Sequence, residues 1–145
     1  MSTKELQEKL ASNMKRWQKV ENASIASTGQ VIEKSDNPIV RLVMEIIQRD
    51  SQMHHRVQEL IIDSLERKAI SLTPDELGEV WGMIEKHLQI ERDTIQIAEG
   101  ALEALKSTKM PVQQYLIGYL LEDERKHENL LKAMESIKVG MYPYG

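Results

Sequence analysis

An all-α fold, a four-helix bundle, is what this sequence predicts, and three observations predict it. Helix-favouring Leu, Ile, Met, Glu, Lys and Gln dominate, against only 7 Gly and 4 Pro. Apolar residues recur three and four apart over long stretches, and no alternating strand pattern interrupts them. Breaks at SDNP (35–38), AISLTPDE (69–76) and KSTKMP (106–111) divide the chain into four amphipathic segments. The expected helices run over about 3–34, 38–68, 74–107 and 111–138, in one domain spanning 1–145.

The first segment carries Leu6, Leu10, Met14, Trp17, Glu21, Ser24, Thr28 and Val31 as one stripe. Asn37 then caps a second helix, with Pro38 at the first helical position, where a missing N–H costs nothing. The second stripe is Val43, Ile47, Asp50, His54, Val57, Ile61 and Leu65. Thr73, Pro74 and Glu76 form a capping box at the start of the third helix. That helix carries Leu77, Val80, Ile84, Leu88, Glu91, Ile95, Ala98, Leu102 and Leu105. Pro111 opens the fourth, with Leu116, Leu120, Asp123 or Glu124, His127, Leu130 or Leu131, Met134 and Ile137. The tail KVGMYPYG reads as irregular, held by Tyr142 and Tyr144.

Composition removes several function classes. The chain has no cysteine, so it holds no disulfide, thiolate metal site, iron–sulfur cluster or cysteine nucleophile. The formal charge is −4 with no basic block, which argues against nucleic acid as a partner. No apolar run approaches the roughly 18 residues of a membrane span, and MSTKELQEKL lacks a signal core. These features predict a soluble, cytoplasmic protein without a membrane partner. Phosphate-cradling glycine loops and Gly-x-Ser-x-Gly elbows are absent, and nothing suggests a sugar-binding cleft.

The second half of the chain repeats the first. A shift of 73 brings Pro38 onto Pro111, Asp50 onto Asp123 and His54 onto His127; a shift of 70 brings Glu21 onto Glu91. Two helical hairpins of one design are expected. Each stripe is interrupted by polar residues near its middle. Glu21 lies 16 residues before Asn37 and Glu91 lies 17 before Thr108, while Asp50 and Asp123 each lie 12 after their proline. At about 1.5 Å per residue the interruptions fall at one level of a bundle. Carboxylates gathered there need a compensating cation, and histidine supplies a neutral nitrogen ligand. Glu124 and His127, three apart, point the same way along a helix.

These residues give the chain a resemblance over about residues 5–137. Glu21 and Glu91 as lone glutamates, with ERKH (124–127) as Glu-x-x-His, resemble the ferritin-like superfamily of di-iron carboxylate proteins. The rubrerythrin and erythrin branch is the most similar, here without a rubredoxin centre. The pattern departs at the second helix, where Ser51 stands in place of Glu and Asp50, four before His54, is the substitute. The resemblance implies a mid-bundle pair of iron (or manganese) ions held by Glu21, Asp50, His54, Glu91, Glu124 and His127. It implies redox chemistry with O₂ or peroxide, or iron oxidation and handling, an external reductant for turnover, and a homodimer or larger assembly. Hemerythrin uses more histidines than the 4 present.

The connection between the second and third helices leaves roughly eight residues, at most about 28 Å extended, against about 45 Å for a 30-residue helix. Three solutions stand open: antiparallel neighbours, unwound helix ends, or helices exchanged between protomers. Asp123 reads as a partner of a ligand or as solvated, and His55 and His87 as helix-surface residues. Trp17, Trp81, Tyr115 and Tyr119 read as core or interface. A metal-free bundle acting as a structural or interaction module is the alternative function, and Ser51 favours it.

Overall fold

The structure is a computed structural model and describes residues 1–137, the side chain of Ile137 excepted. The tail that carries Tyr142 and Tyr144 lies outside the described residues. Four helices form: α1 (Thr3–Lys34), α2 (Pro38–Glu66), α3 (Pro74–Leu105) and α4 (Pro111–Ile137), with no strand among the described residues. The all-α class, the four helices and their pairing as two similar hairpins are as the sequence predicts.

Side-chain chemistry sets the helix starts. Asn37 Oδ1 accepts from the N–H groups of Ile39 and Val40 at 2.9 and 3.2 Å. Thr73 Oγ1 accepts from Glu76 N at 3.1 Å, and the Glu76 carboxylate accepts from Thr73 N at 3.5 Å. Ser2 and Glu5 make a second reciprocal box at the start of α1, at 3.0 and 3.1 Å. The Ser-x-x-Glu spacing at 2–5 carries that signal in the sequence. Helices α2 and α3 each stop two residues before the expected end. The Lys106 N–H bonds back to Glu103 O at 3.3 Å, a three-residue spacing that tightens and ends the last turn.

The chain divides into two compact units, Met1–Ile70 and Ser71–Gly145, each holding one hairpin. In the first, α1 packs antiparallel on α2 across the three-residue turn 35–37. Arg41 donates to Ile32 O and Ser35 O at 2.6 and 3.1 Å and ties the turn. Lys15 pairs with Glu66 at 2.6 Å at the far end. The buried positions of α2 are Ser51, Gln58 and Ile62. They lie one residue round from the expected stripe, whose Ile47 and Val57 stay 40% and 51% exposed. Polar pairing fixes that rotation. Ser24 and Ser51 hydroxyls meet at 2.9 Å, Gln48 donates to Ile25 O at 3.2 Å, and Gln18 donates to Glu59 at 2.8 Å. A buried polar group strongly prefers the face on which it finds a partner.

In the second unit α3 packs antiparallel on α4. Ile95, Ala98 and Leu121 form a buried apolar cluster, with Leu102 and Ile117 against it. Arg125 pairs with Glu99 and Arg92 with Glu128, each at 3.1 Å, along the seam. A two-helix layer has little interior, and no described side chain is fully enclosed. Among the described residues, no helix is long and apolar enough to cross a membrane.

Candidate metal centre

Glu91 is the residue around which the α3–α4 hairpin builds its polar centre. It sits on the apolar stripe of α3 between Leu88 and Ile95, so the helix turns it toward α4 and leaves it 6% exposed. On α4 the three-residue step from Glu124 to His127 puts both side chains over the same turn. One ligand atom from each of Glu91, Glu124 and His127 lies within 4.8 Å of the other two. His127 Nδ1 stands 3.4 Å from Glu91 Oε2 and 3.9 Å from Glu124 Oε2.

Further contacts surround this triad. His87, one turn before Glu91, meets Glu91 Oε1 through Nε2 at 2.8 Å. Asp123 Oδ2 lies 3.4 Å from His127 Nε2 and leaves Nδ1 turned toward the two glutamates, while Lys126 pairs with Asp123 Oδ1 at 2.8 Å. Thr94 donates to Glu124 Oε2 at 2.9 Å. Glu91 Oε2 is buried, and no N–H group or alcohol donates to it. A hydrogen bond from Glu124 holds the Glu91 carboxyl below the usual range; burial opposes this, and His87 and His127 add to it. Glu124 is pushed up by the same interaction with Glu91 and by burial, with Thr94 opposing. One proton held between two carboxylates, mainly on Glu124, accounts for both directions. A cation can replace that proton.

The α1–α2 hairpin holds a reduced version of the same arrangement. Glu21 is 7% exposed, and His54 Nδ1 lies 3.5 Å from its Oε1. The offsets of the repeat carry over contact by contact. Trp17 Nε1 donates to Glu21 at 3.1 Å, where His87 meets Glu91. Ser24 meets Ser51 at 2.9 Å, where Thr94 meets Glu124. Ser51, itself buried, therefore occupies the position that half-buried Glu124 fills in the other hairpin, and its hydroxyl is already paired.

Of the six residues expected as ligands, the structure gathers Glu91, Glu124 and His127 in one hairpin and Glu21 with His54 in the other. Asp50 is exposed and joins neither group. Its position, one residue before buried Ser51, is rotated about 100° from the helix contact, so its shorter side chain does not take the missing glutamate's place. His87 lies on the helix surface as expected, its side chain 57% exposed, and its ring also reaches Glu91. The four-residue spacing to a buried acid was the available signal. Expected to be more outward than His54, His55 is half-buried, and its carbonyl accepts from Gln18 at 3.3 Å, while the His54 side chain is 58% exposed. The one-residue rotation of α2 accounts for that exchange.

Fold and site together define an all-α protein of paired helical hairpins with a carboxylate–histidine cluster on one of them. No family model, curated protein or solved structure matches the chain.

Proposed function

We propose that this chain is a metal-binding protein of ferritin-like character, with Glu91, Glu124 and His127 holding iron or manganese. The observation that carries this reading is Glu91 Oε2: a buried carboxylate oxygen to which no N–H or alcohol donates, facing a second carboxyl group and an imidazole nitrogen. Two carboxylates and one imidazole suit a first-row divalent ion, and the absence of thiolates disfavours softer choices. Iron or manganese held there supplies redox chemistry toward O₂ or peroxide, or serves iron oxidation and handling, with an external reductant for turnover. Glu91 is the fixed anchor, since the hydrogen bond from Glu124, with His87 and His127, holds it ionised against the opposing effect of burial. Glu124 releases its proton as a cation arrives, and Thr94 keeps its oxygen oriented. Asp123 holds His127 in the tautomer that leaves Nδ1 free, assigned from the geometry of the pair. A cytoplasmic setting suits a chain without cysteine.

Metal analysis of protein purified without chelator tests this reading, with Glu91→Ala and His127→Ala as controls. Bound iron or manganese, lost in both variants, is the expected result. No metal, with a thermal midpoint unmoved by added iron(II) or manganese(II), would sink it. That outcome would favour a metal-free interaction module, a reading supported by the shared carboxylate proton and by Ser51.

A further inference from the structure

We propose that His87 sets the ion selectivity of this centre. Its ring N–H occupies Glu91 Oε1, so Glu91 meets a metal ion through Oε2 alone, and compact first-row ions are favoured over calcium. This role rests on the reading of Glu91, Glu124 and His127 as metal ligands, and it makes His87 a positioning residue, not a fourth ligand.

Three observations carry it. The first is the division of the Glu91 carboxylate. His87 Nε2 stands 2.8 Å from Oε1, whereas Oε2 is buried, receives no N–H or alcohol donor, and lies 3.4 Å from His127 Nδ1. The second is the grouping of ligand atoms. Glu91, Glu124 and His127 each bring one atom within 4.8 Å of the other two, and His87 stands outside that group. The third is the repeat. The shift of 70 that brings Glu21 onto Glu91 also brings Trp17 onto His87. Trp17 donates its indole N–H to Glu21 Oε1 at 3.1 Å. An indole nitrogen only donates, so it cannot hold a metal ion. Capping one oxygen of a buried glutamate is therefore the role that the two rings share, and it gives His87 the tautomer with its proton on Nε2.

The cap bears on which ion fits. Calcium takes about six to eight oxygens and often both oxygens of one carboxylate. First-row ions such as iron(II) and cobalt(II) accept imidazole nitrogen beside single carboxylate oxygens. A second metal–oxygen bond to Glu91 would have to break the hydrogen bond from His87, and bonds to a carboxylate are among the stronger ones. Without His87 only water competes for Oε1, and water exchanges easily. The His87 side chain is 57% exposed, so its replacement removes little packing.

Cobalt(II) and calcium are titrated separately into the full chain and into His87→Ala, His87→Trp and His87→Arg, with circular dichroism recording that each folds. The native chain should bind cobalt and discriminate against calcium. His87→Ala should lower the cobalt-over-calcium affinity ratio roughly tenfold or more. Trp and Arg carry N–H donors that cannot ligate, and each should rescue the ratio to within about threefold of the native value. The added charge in His87→Arg weakens both divalent ions alike and leaves their ratio in place. Infrared difference spectra on calcium binding read how many oxygens engage. The carboxylate stretching bands should draw together in His87→Ala, the mark of two-oxygen binding, and stay apart in His87→Trp. An unchanged ratio in His87→Ala would overturn the proposal and spare the metal-site reading. So would a ratio in both His87→Trp and His87→Arg as low as in His87→Ala, the behaviour of a lost ligand. Binding of neither ion by the native chain would remove both.

Discussion

At residue scale, Glu91 and Glu124 have the same chemistry and opposite roles. Glu91 is held below the ordinary carboxylate range and Glu124 above it, chiefly through their mutual hydrogen bond. Folding therefore favours the protonated form of Glu124. Its contribution to stability is complete below the ordinary glutamate value and fades as pH rises through the raised one. For Glu91 the sign is reversed, and its contribution is lost as pH falls through the lowered value. On the proposed metal-site reading an incoming cation takes the place of the Glu124 proton, so binding should release protons and strengthen as pH rises through that window. Proton uptake or release measured in weakly buffered solution checks this, and a proton count near zero in the raised window would contradict it. Glu124→Gln supplies an amide N–H to Glu91 in place of the carboxylic proton. It should fold with stability within about 1 kcal/mol of the native chain and yet lose the metal. Asp123→Asn should weaken metal binding about 10- to 100-fold, because it loosens His127 without removing a ligand. The repeat pointed to Glu21 with Glu91 and His54 with His127 because they fall at matching offsets, and the three-residue step to His127 pointed to Glu124. It gave no such help with Thr94 and His87, whose roles depend on contacts that only the folded hairpin makes.

At the scale of the element, helix ends were the most legible features. Caps act over three or four residues, so Asn37, Thr73 and Glu76 could be read from spacing alone. Thr73→Ala should cost about 1 kcal/mol, seen as a lower urea midpoint with an unchanged slope. Gly100 lies inside α3, and a methyl group there meets nothing within 4 Å. Gly100→Ala should raise stability by about 0.5–1 kcal/mol by the same measurement. The facing of a helix was less legible than its ends. On α2 the apolar stripe and the polar seam of Gln48, Ser51 and Gln58 lie side by side, and a pattern of apolar residues selects the stripe. In the hairpin the seam faces α1, because its hydrogen bonds find partners there.

At the scale of the molecule, one design is used twice with different contents. The α3–α4 copy keeps two carboxylates and a histidine together, whereas in the α1–α2 copy a pair of hydroxyls occupies the corresponding place. Substituting Ser51→Glu together with Trp17→His and Ser24→Thr should rebuild the missing contacts in α1–α2. The expected readout is one additional metal ion per chain by elemental analysis; a stoichiometry equal to that of the native chain would show that the hairpins differ in more than these side chains. The sequence by itself determined the helical class, the four helices, their starts and the doubling of the hairpin. Each follows from short-range periodicity and capping, which act through neighbours along the chain. Tertiary structure alone decided that Ser51 rather than Asp50 turns inward, that His87 and Asp123 serve Glu91 and His127, and that one glutamate oxygen is buried beyond the reach of any N–H or alcohol donor. Those outcomes depend on which polar groups find partners across a helix–helix seam, and residues tens of positions apart settle that together.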